Sequence, residues 1–262
     1  MHIKQQVESA AIVLNCRDHG ESDLIVTLYC RHYGRVTGIA KGAKRSKKRF
    51  VNKLEIFSSL HVLHTVPRNN RLAFIAEAEL ADGFLTLRKN MSCYATASVI
   101  REFILLATKE MESDKELYPL LVWAFSGLNT GRAPLPLLIL FLIRFYAIIG
   151  YSPQLDSCLG CGQQVQPGET YSFHLATSGI RCSRCTANGI NGLKLSRGTL
   201  KTLTTALSHP LERLHRLQLS GNSQKEALAF LHSYGRQLFQ REIVSWSFLM
   251  AKEREINNLN KN

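Results

Sequence analysis

Along the first eighty positions, short runs of branched and aromatic residues alternate with polar or glycine-containing breaks. Stretches 8–15 (ESAAIVLN), 23–31 (DLIVTLYCR), 35–41 (RVTGIAK), 54–66 (LEIFSSLHVLHTV) and 71–80 (RLAFIAEAEL) each read as a strand. Five strands in so short a span fit a small closed barrel. After residue 82 the period changes. Cys93, Ala97, Ile100, Ile104 and Ala107 recur at spacings of three and four, a helical stripe. Ser113 with Glu116 and Ser223 with Glu226 have capping-box spacing, which predicts a helix start at each. The second would open a last helix over 223–256, with Ala227, Leu231, Tyr234 and Leu238 facing inward.

One apolar run, APLPLLILFLIRFYAIIG (133–150), is broken by Arg144 and is shorter than the roughly 20 residues a membrane span asks for. Pro134 and Pro136 suit the first turn of a helix and Gly150 its end, so the run predicts a buried helix. The first residues, MHIKQQVESAA, do not form the apolar core of a secretory leader, and a cytoplasmic location is expected.

Charge narrows the partner. The chain has 33 Lys and Arg against 20 Asp and Glu, a net +13, which favours nucleic acid or another anionic surface. The excess is densest in KGAKRSKKRF (41–50), where six of ten positions are basic and none is acidic. Among five-stranded barrels, the OB-fold binds oligonucleotides on strands 2 and 3 and on loops between strands. The strand count alone does not separate it from other small barrels. If the assignment holds, Lys41, Lys44, Arg45, Lys47, Lys48, Arg49 and Lys53 form a flexible cationic loop between strands 3 and 4. Arg68 and Arg71 would sit between strands 4 and 5, and Arg35 on strand 3 would offer a barrel-face contact. Tyr29 and Tyr33 are candidates either for stacking on bases or for packing.

Cysteine spacing is the sharpest signal. Cys158, Cys161, Cys182 and Cys185 make a C-x2-C-x20-C-x2-C pattern, the usual spacing of a four-cysteine zinc site. Gly160 and Gly162 permit backbone angles that other residues resist, which suits the tight turn aiming two thiolates at one ion. Tyr171, Phe173 and Leu175 alternate before Gly179, so a hairpin is expected between the pairs. Four thiolates leave no open position for water, which makes such a site structural. Arg181 and Arg184 are placed to offset its charge. An iron–sulfur cluster, disulfides and free thiols are the competing readings. Cys16, Cys30 and Cys93 lie outside the pattern and read as small buried hydrophobes.

Catalytic signatures are thin. The sequence has no G-x4-G-K-[ST], H-E-x-x-H or G-x-S-x-G, and Gly34, Gly38 and Gly42 with Lys41 and Lys44 lack phosphate-loop spacing. His19, Glu21 and Asp23 read as a polar turn before strand 2 rather than an acid–base cluster. His61 and His64 fall on opposite faces of one strand. An enzyme is not expected.

Two stretches carry a family resemblance. AIVLNCRDHGESDLIVTLYCRHYGRVTGIAKGAKRSKKRF (11–50) resembles the N-terminal OB domain of the RecO family of DNA repair proteins. FLIRFYAIIGYSPQLDSCLGCG (141–162) is similar to that family's helix, "GY-P" turn and entry into the cysteine site. The resemblance implies a recombination mediator rather than an enzyme. Such a protein binds single- and double-stranded DNA, anneals complementary strands, and with RecR helps load RecA on DNA coated by single-stranded DNA-binding protein. It also implies that the acidic C-terminal tail of the coating protein docks on the helical domain, with Arg144 as the candidate contact.

The expected fold is α+β. An N-terminal OB-fold barrel (1–81) precedes a helical domain (82–262) with an inserted zinc ribbon at 155–190, holding one structural Zn2+. A zinc-ribbon RNA-binding protein is the alternative, since a cationic barrel need not distinguish the 2′-hydroxyl. A scaffold with an incidental basic loop is the third possibility.

Overall fold

Alternating inward and outward positions build five strands: β1 (Gln6–His19), β2 (Asp23–Cys30), β3 (Gly34–Ala40), β4 (Ser59–Thr65) and β5 (Ala73–Asp82). They close into a barrel in the order β1-β2-β3-β5-β4, with β4 returning to β1, the topology of an OB-fold. β1 is long because its first half pairs with β4 and its second half with β2. A register shift between Val13 and Asn15 marks a bulge that bends it between the two. The parallel seam of β3 with β5 is short, joining Gly38 to Ala73 and Ile39 to Phe74.

The fourth strand starts later than its sequence pattern predicts. The apolar positions before it pack against the barrel unit, while Glu55 between them is exposed. Leu54 and Phe57 are buried, and Phe57 takes a left-handed backbone (φ 76°), its N–H donating to the Val13 carbonyl while the Val13 N–H donates to the Ser58 carbonyl, both at 2.9 Å.

The computed structural model describes residues 6–67, 71–186 and 192–259. Two compact units divide the chain. One comprises Met1–Asn90 and Ile104–Thr130, the other Met91–Phe103 and Gly131–Asn262. The expected division at residue 81 follows the change from strands to helices, whereas the units follow contacts, so the barrel unit takes in a later segment. In that unit, α1 (Leu85–Lys89) has the N–H groups of Thr86 and Leu87 capped by the Asn129 side chain at the end of α3 (Leu117–Asn129). Phe125 of α3 meets the rings of Phe57 and Phe84 edge-on, at 5.3 and 6.1 Å between centroids.

The second unit is helical. α2 (Met91–Ala107) contributes its first thirteen residues, followed by α4 (Pro134–Ile148), α5 (Arg197–Ser208), α6 (Gly221–Phe239) and α7 (Val244–Leu259). The apolar run is α4, with Pro134 in its first turn and nine consecutive or near-consecutive side chains buried. Among the described residues no helix is long and apolar enough to cross a membrane. Tyr146 of α4 donates to the Leu231 carbonyl at 2.6 Å and stacks edge-on against Tyr234, tying α4 to α6.

Both capping-box expectations need correction. α3 begins at Leu117, and Asp114 rather than Ser113 accepts from the Glu116 N–H. α6 begins at Gly221, capped by Ser220, whose hydroxyl accepts from the Ser223 N–H at 3.2 Å. Glu226 reaches instead to the start of α5, accepting from Ser196 N–H and the Thr199 hydroxyl. The expected last helix is two, broken where Gln240 turns left-handed (φ 52°).

Candidate nucleic-acid interface and metal centre

The β3–β4 connection is held at many points, contrary to the flexible loop expected. Ala43, Phe50 and Leu54 are buried in the barrel core beside Leu24 and Cys16. Its start is fixed from the β1–β2 turn: the Gly42 N–H donates to Asp23 Oδ1 at 2.8 Å and the Lys44 N–H to the Ser22 carbonyl at 3.0 Å. The Gly42 N–H bond holds the Asp23 carboxyl below the usual carboxylate range. His19, Glu21 and Asp23 do form a polar turn, and its acids grip the basic loop.

Anchoring sorts the seven cations. Lys53 donates to the carbonyls of Lys48, Arg49 and Ala78, stitching the loop to β5. Arg49 donates to the Ala76 and Lys41 carbonyls and lies 5.1 Å over the Phe50 ring. Lys44 pairs with Asp18 at 2.6 Å and Arg45 with Glu21 at 3.4 Å, exposed pairs contributing about 0–1 kcal/mol each. Lys41, Lys47 and Lys48 are exposed, and among the described residues their ammonium groups form no hydrogen bond or salt bridge, though the Lys41 charge helps lower the Asp23 carboxyl. Arg71 is exposed before β5, while Arg68 lies outside the described residues.

The two tyrosines for which stacking and packing were both open have contacts within the barrel unit. Tyr29 is fully buried, with its hydroxyl accepting from the Asp114 N–H and burial pushing its pKa to about 12. Tyr33 packs edge-on against His64, which is buried and donates from Nδ1 to the Thr65 carbonyl at 3.0 Å. Packing is the correct reading for Tyr29, while Tyr33 is half-exposed. Arg35 is engaged as well: Nη1 donates to the Leu105 carbonyl at 3.0 Å and Nε lies 3.3 Å from Glu110 Oε1.

At the other site, strands β6 (Tyr171–His174) and β7 (Gly179–Cys182) form the expected hairpin, paired Tyr171 to Cys182 and His174 to Gly179. A third strand, β8 (Leu193–Leu195), completes the sheet; three residues carry too little alternation to announce it. The sulfurs of Cys158, Cys161, Cys182 and Cys185 all lie within 4.8 Å of one another, Cys161 and Cys182 at 3.9 Å. A tetrahedron of Zn–S bonds of about 2.3 Å has edges of about 3.8 Å, so the four fit a zinc ion.

Backbone donors prepare the cluster for anionic sulfur. Burial raises the Cys158 thiol, but N–H groups of Cys182, Cys161 and Gly160 outweigh it and pull its pKa to about 6. Hydrogen bonds from Cys185 to the Cys182 and Cys161 sulfurs push the Cys185 thiol up to about 12. A single divalent ion bound by the four sulfurs would displace the thiol protons that remain. Arg184 stands beside Glu169 and the Cys182 sulfur, which together raise its affinity for its proton.

Arg144 has a structural task. Its Nη1 donates to the carbonyls of Ala206, Leu207 and His209, closing the C-terminal end of α5. Its Nε and Nη2 have no partner among the described residues.

Comparison with known proteins matches both halves of the chain. A family model for the N-terminal part of recombination protein O covers residues 1–84, and one for its C-terminal part covers residues 88–247. DNA repair protein RecO of Syntrophus aciditrophicus is 30% identical over 251 residues, 95% of this chain and 97% of that protein. The same-named proteins of Syntrophobacter fumaroxidans and Symbiobacterium thermophilum are 31% and 30% identical, over 91% of this chain and 95% and 94% of their own lengths.

Proposed function

The chain belongs to the RecO family, with the DNA repair and recombination role that membership carries, and we propose that it acts by binding DNA strands on its barrel. It binds single- and double-stranded DNA, anneals complementary strands without nucleotide hydrolysis, and with RecR helps load RecA on DNA coated by single-stranded DNA-binding protein. The observation that carries this reading is the anchored β3–β4 loop. It presents Lys41, Lys47 and Lys48 unpaired and Lys44 and Arg45 in weak pairs, beside an OB-fold barrel. Phosphate oxygens can displace Asp18 and Glu21 at little cost, so five cations face the strands. Arg49 and Lys53 hold the loop in shape, and Arg71 extends the basic surface toward β5.

Neutralising phosphates on two strands at once lowers their repulsion, which is what annealing requires. No step needs a catalytic residue. Cys158, Cys161, Cys182 and Cys185 would hold one structural Zn2+, whose contribution is to fix the ribbon's fold. The half-exposed Arg144, with two nitrogens left over, supports a contact to the acidic tail of the coating protein.

The test is annealing of complementary oligonucleotides coated with single-stranded DNA-binding protein. Wild type should accelerate it, and a folded variant with Lys41, Lys47 and Lys48 changed to Ala should lose most of the acceleration. No annealing by wild type, with preference for RNA in competition, would move the RNA-binding reading ahead. Equal annealing by both proteins would leave the function and remove the loop from it.

A further inference from the structure

Beside the barrel's short parallel seam, β3 leaves the edge of Arg35–Thr37 without a strand partner from β5. Residues 110 and 111, in the same compact unit, cover that edge. Glu110 forms a parallel bridge with Arg35, and the Met111 N–H donates to the Arg35 carbonyl at 2.8 Å. At Gly34 the approach is so close that a Cβ would stand 1.9 Å from the Glu112 carbonyl oxygen.

What the Glu110 carboxylate meets there is a set of anion ligands. Oε2 accepts from the Thr37 N–H at 3.0 Å, and Oε1 accepts from the Thr37 hydroxyl at 2.6 Å while lying 3.3 Å from Arg35 Nε. Thr27, opposite Thr37 on β2, places a second hydroxyl 3.4 Å from the first. A main-chain N–H, hydroxyls and a guanidinium converging on two oxygens are the donors a phosphate group uses. The fit to a carboxylate is incomplete. Arg35 Nε is buried and close to Oε1, yet it is not aligned for a hydrogen bond. A planar carboxylate leaves that donor unused, and a tetrahedral phosphate has a third oxygen to offer it.

We infer that Glu110 is a built-in competitor, its carboxylate occupying a phosphate site on β3 formed by Arg35, Thr37 and Thr27. A nucleic-acid strand takes this site when Glu110 is displaced. The inference rests on the DNA-binding reading above and adds to it a regulated position on strands 2 and 3, the face on which OB-folds carry oligonucleotides. Residues 109–116 also set Glu110, Glu112, Asp114 and Glu116 against Lys109 and Lys115, a net negative charge, so the covering segment repels an incoming strand while it stays in place.

Two readouts test it. Glu110→Ala and Glu110→Gln, each with and without Arg35→Ala, would be titrated with a labelled single-stranded oligonucleotide over a range of salt. The same proteins would be titrated with inorganic phosphate while following the Thr37 amide by NMR. Removing the carboxylate should tighten DNA binding by about fivefold or more, the lower end of typical coupling between competing ligands. The log–log salt slope should steepen by about 0.7, one further phosphate on a single strand. Both gains should vanish with Arg35→Ala, and the Thr37 amide should respond to phosphate only once Glu110 is replaced. Folded Glu110 variants with unchanged or weaker DNA affinity and a silent Thr37 amide would overturn the inference and leave Glu110 as a clasp on the barrel edge. A Thr37 response to phosphate in a protein that binds no DNA would uphold the anion site and overturn the DNA-binding reading alone.

Discussion

Two glycines in the first cysteine turn have different reasons to be there. Gly162 has a left-handed backbone (φ 73°), the freedom its sequence context suggested. At Gly160 the constraint is space: a Cβ would stand 2.7 Å from the Cys185 Cβ and 3.0 Å from its sulfur. Spacing of the cysteines was enough to bring the four sulfurs into one cluster, but no local pattern says which neighbour presses on which turn. Gly160→Ala should force the two cysteine turns apart and weaken zinc retention by about 10- to 100-fold, as disturbed outer-shell contacts do. Competition with a chelator would measure it, and Gly162→Ala serves as a strain control without the clash. The same limit applies to Tyr29, whose residue type suits stacking and packing equally; only the barrel's closure, which buries it completely, decides between them.

Elements were legible where a hydrophobic period repeats and less so where side chains act across the chain. All five strands were visible because each alternates over several residues, and α4 because its apolar run is bounded by prolines. The capping boxes misled because Ser, Asp and Glu near a helix start have several possible acceptors and donors. Glu226 serves the start of α5 rather than its own helix. The basic loop was legible as charge but not as structure, since its anchors, Ala43, Phe50 and Leu54, are scattered among the cations. Phe50→Ala should cost about 3–5 kcal/mol of stability, the usual range for emptying a buried phenylalanine site. It should also raise amide exchange across residues 41–54. Urea unfolding with hydrogen exchange would check both, and an effect on exchange without loss of stability would mean that the ring pins the loop without filling the core.

At the scale of the whole molecule, net charge pointed to the partner, and the family comparison supplies the biological setting that charge cannot. The sequence does not say that residues 104–130 pack with the barrel, because a helical period reveals that a face is buried without revealing in which core. Sorting the cations also changes the expected ionic response. Five, rather than all seven, are available to phosphates, so the logarithm of single-strand affinity should fall against log salt with a slope of about −3.5. Binding isotherms between low and moderate salt would show it. A slope near zero would mean that the net +13 is spread too diffusely to matter.

The stitched loop has one more consequence. With Lys41, Lys44, Arg45, Lys47, Lys48, Arg49 and Lys53 it is the densest cluster of tryptic sites in the barrel sequence, and in an unfolded segment each would be cut readily. A protease needs several residues to peel away and extend through its cleft. Here Phe50 and Leu54 in the core, and Lys53 bound to three carbonyls, resist that peeling. The charge proposed to draw the chain to DNA is thereby kept from being its weakest point against digestion.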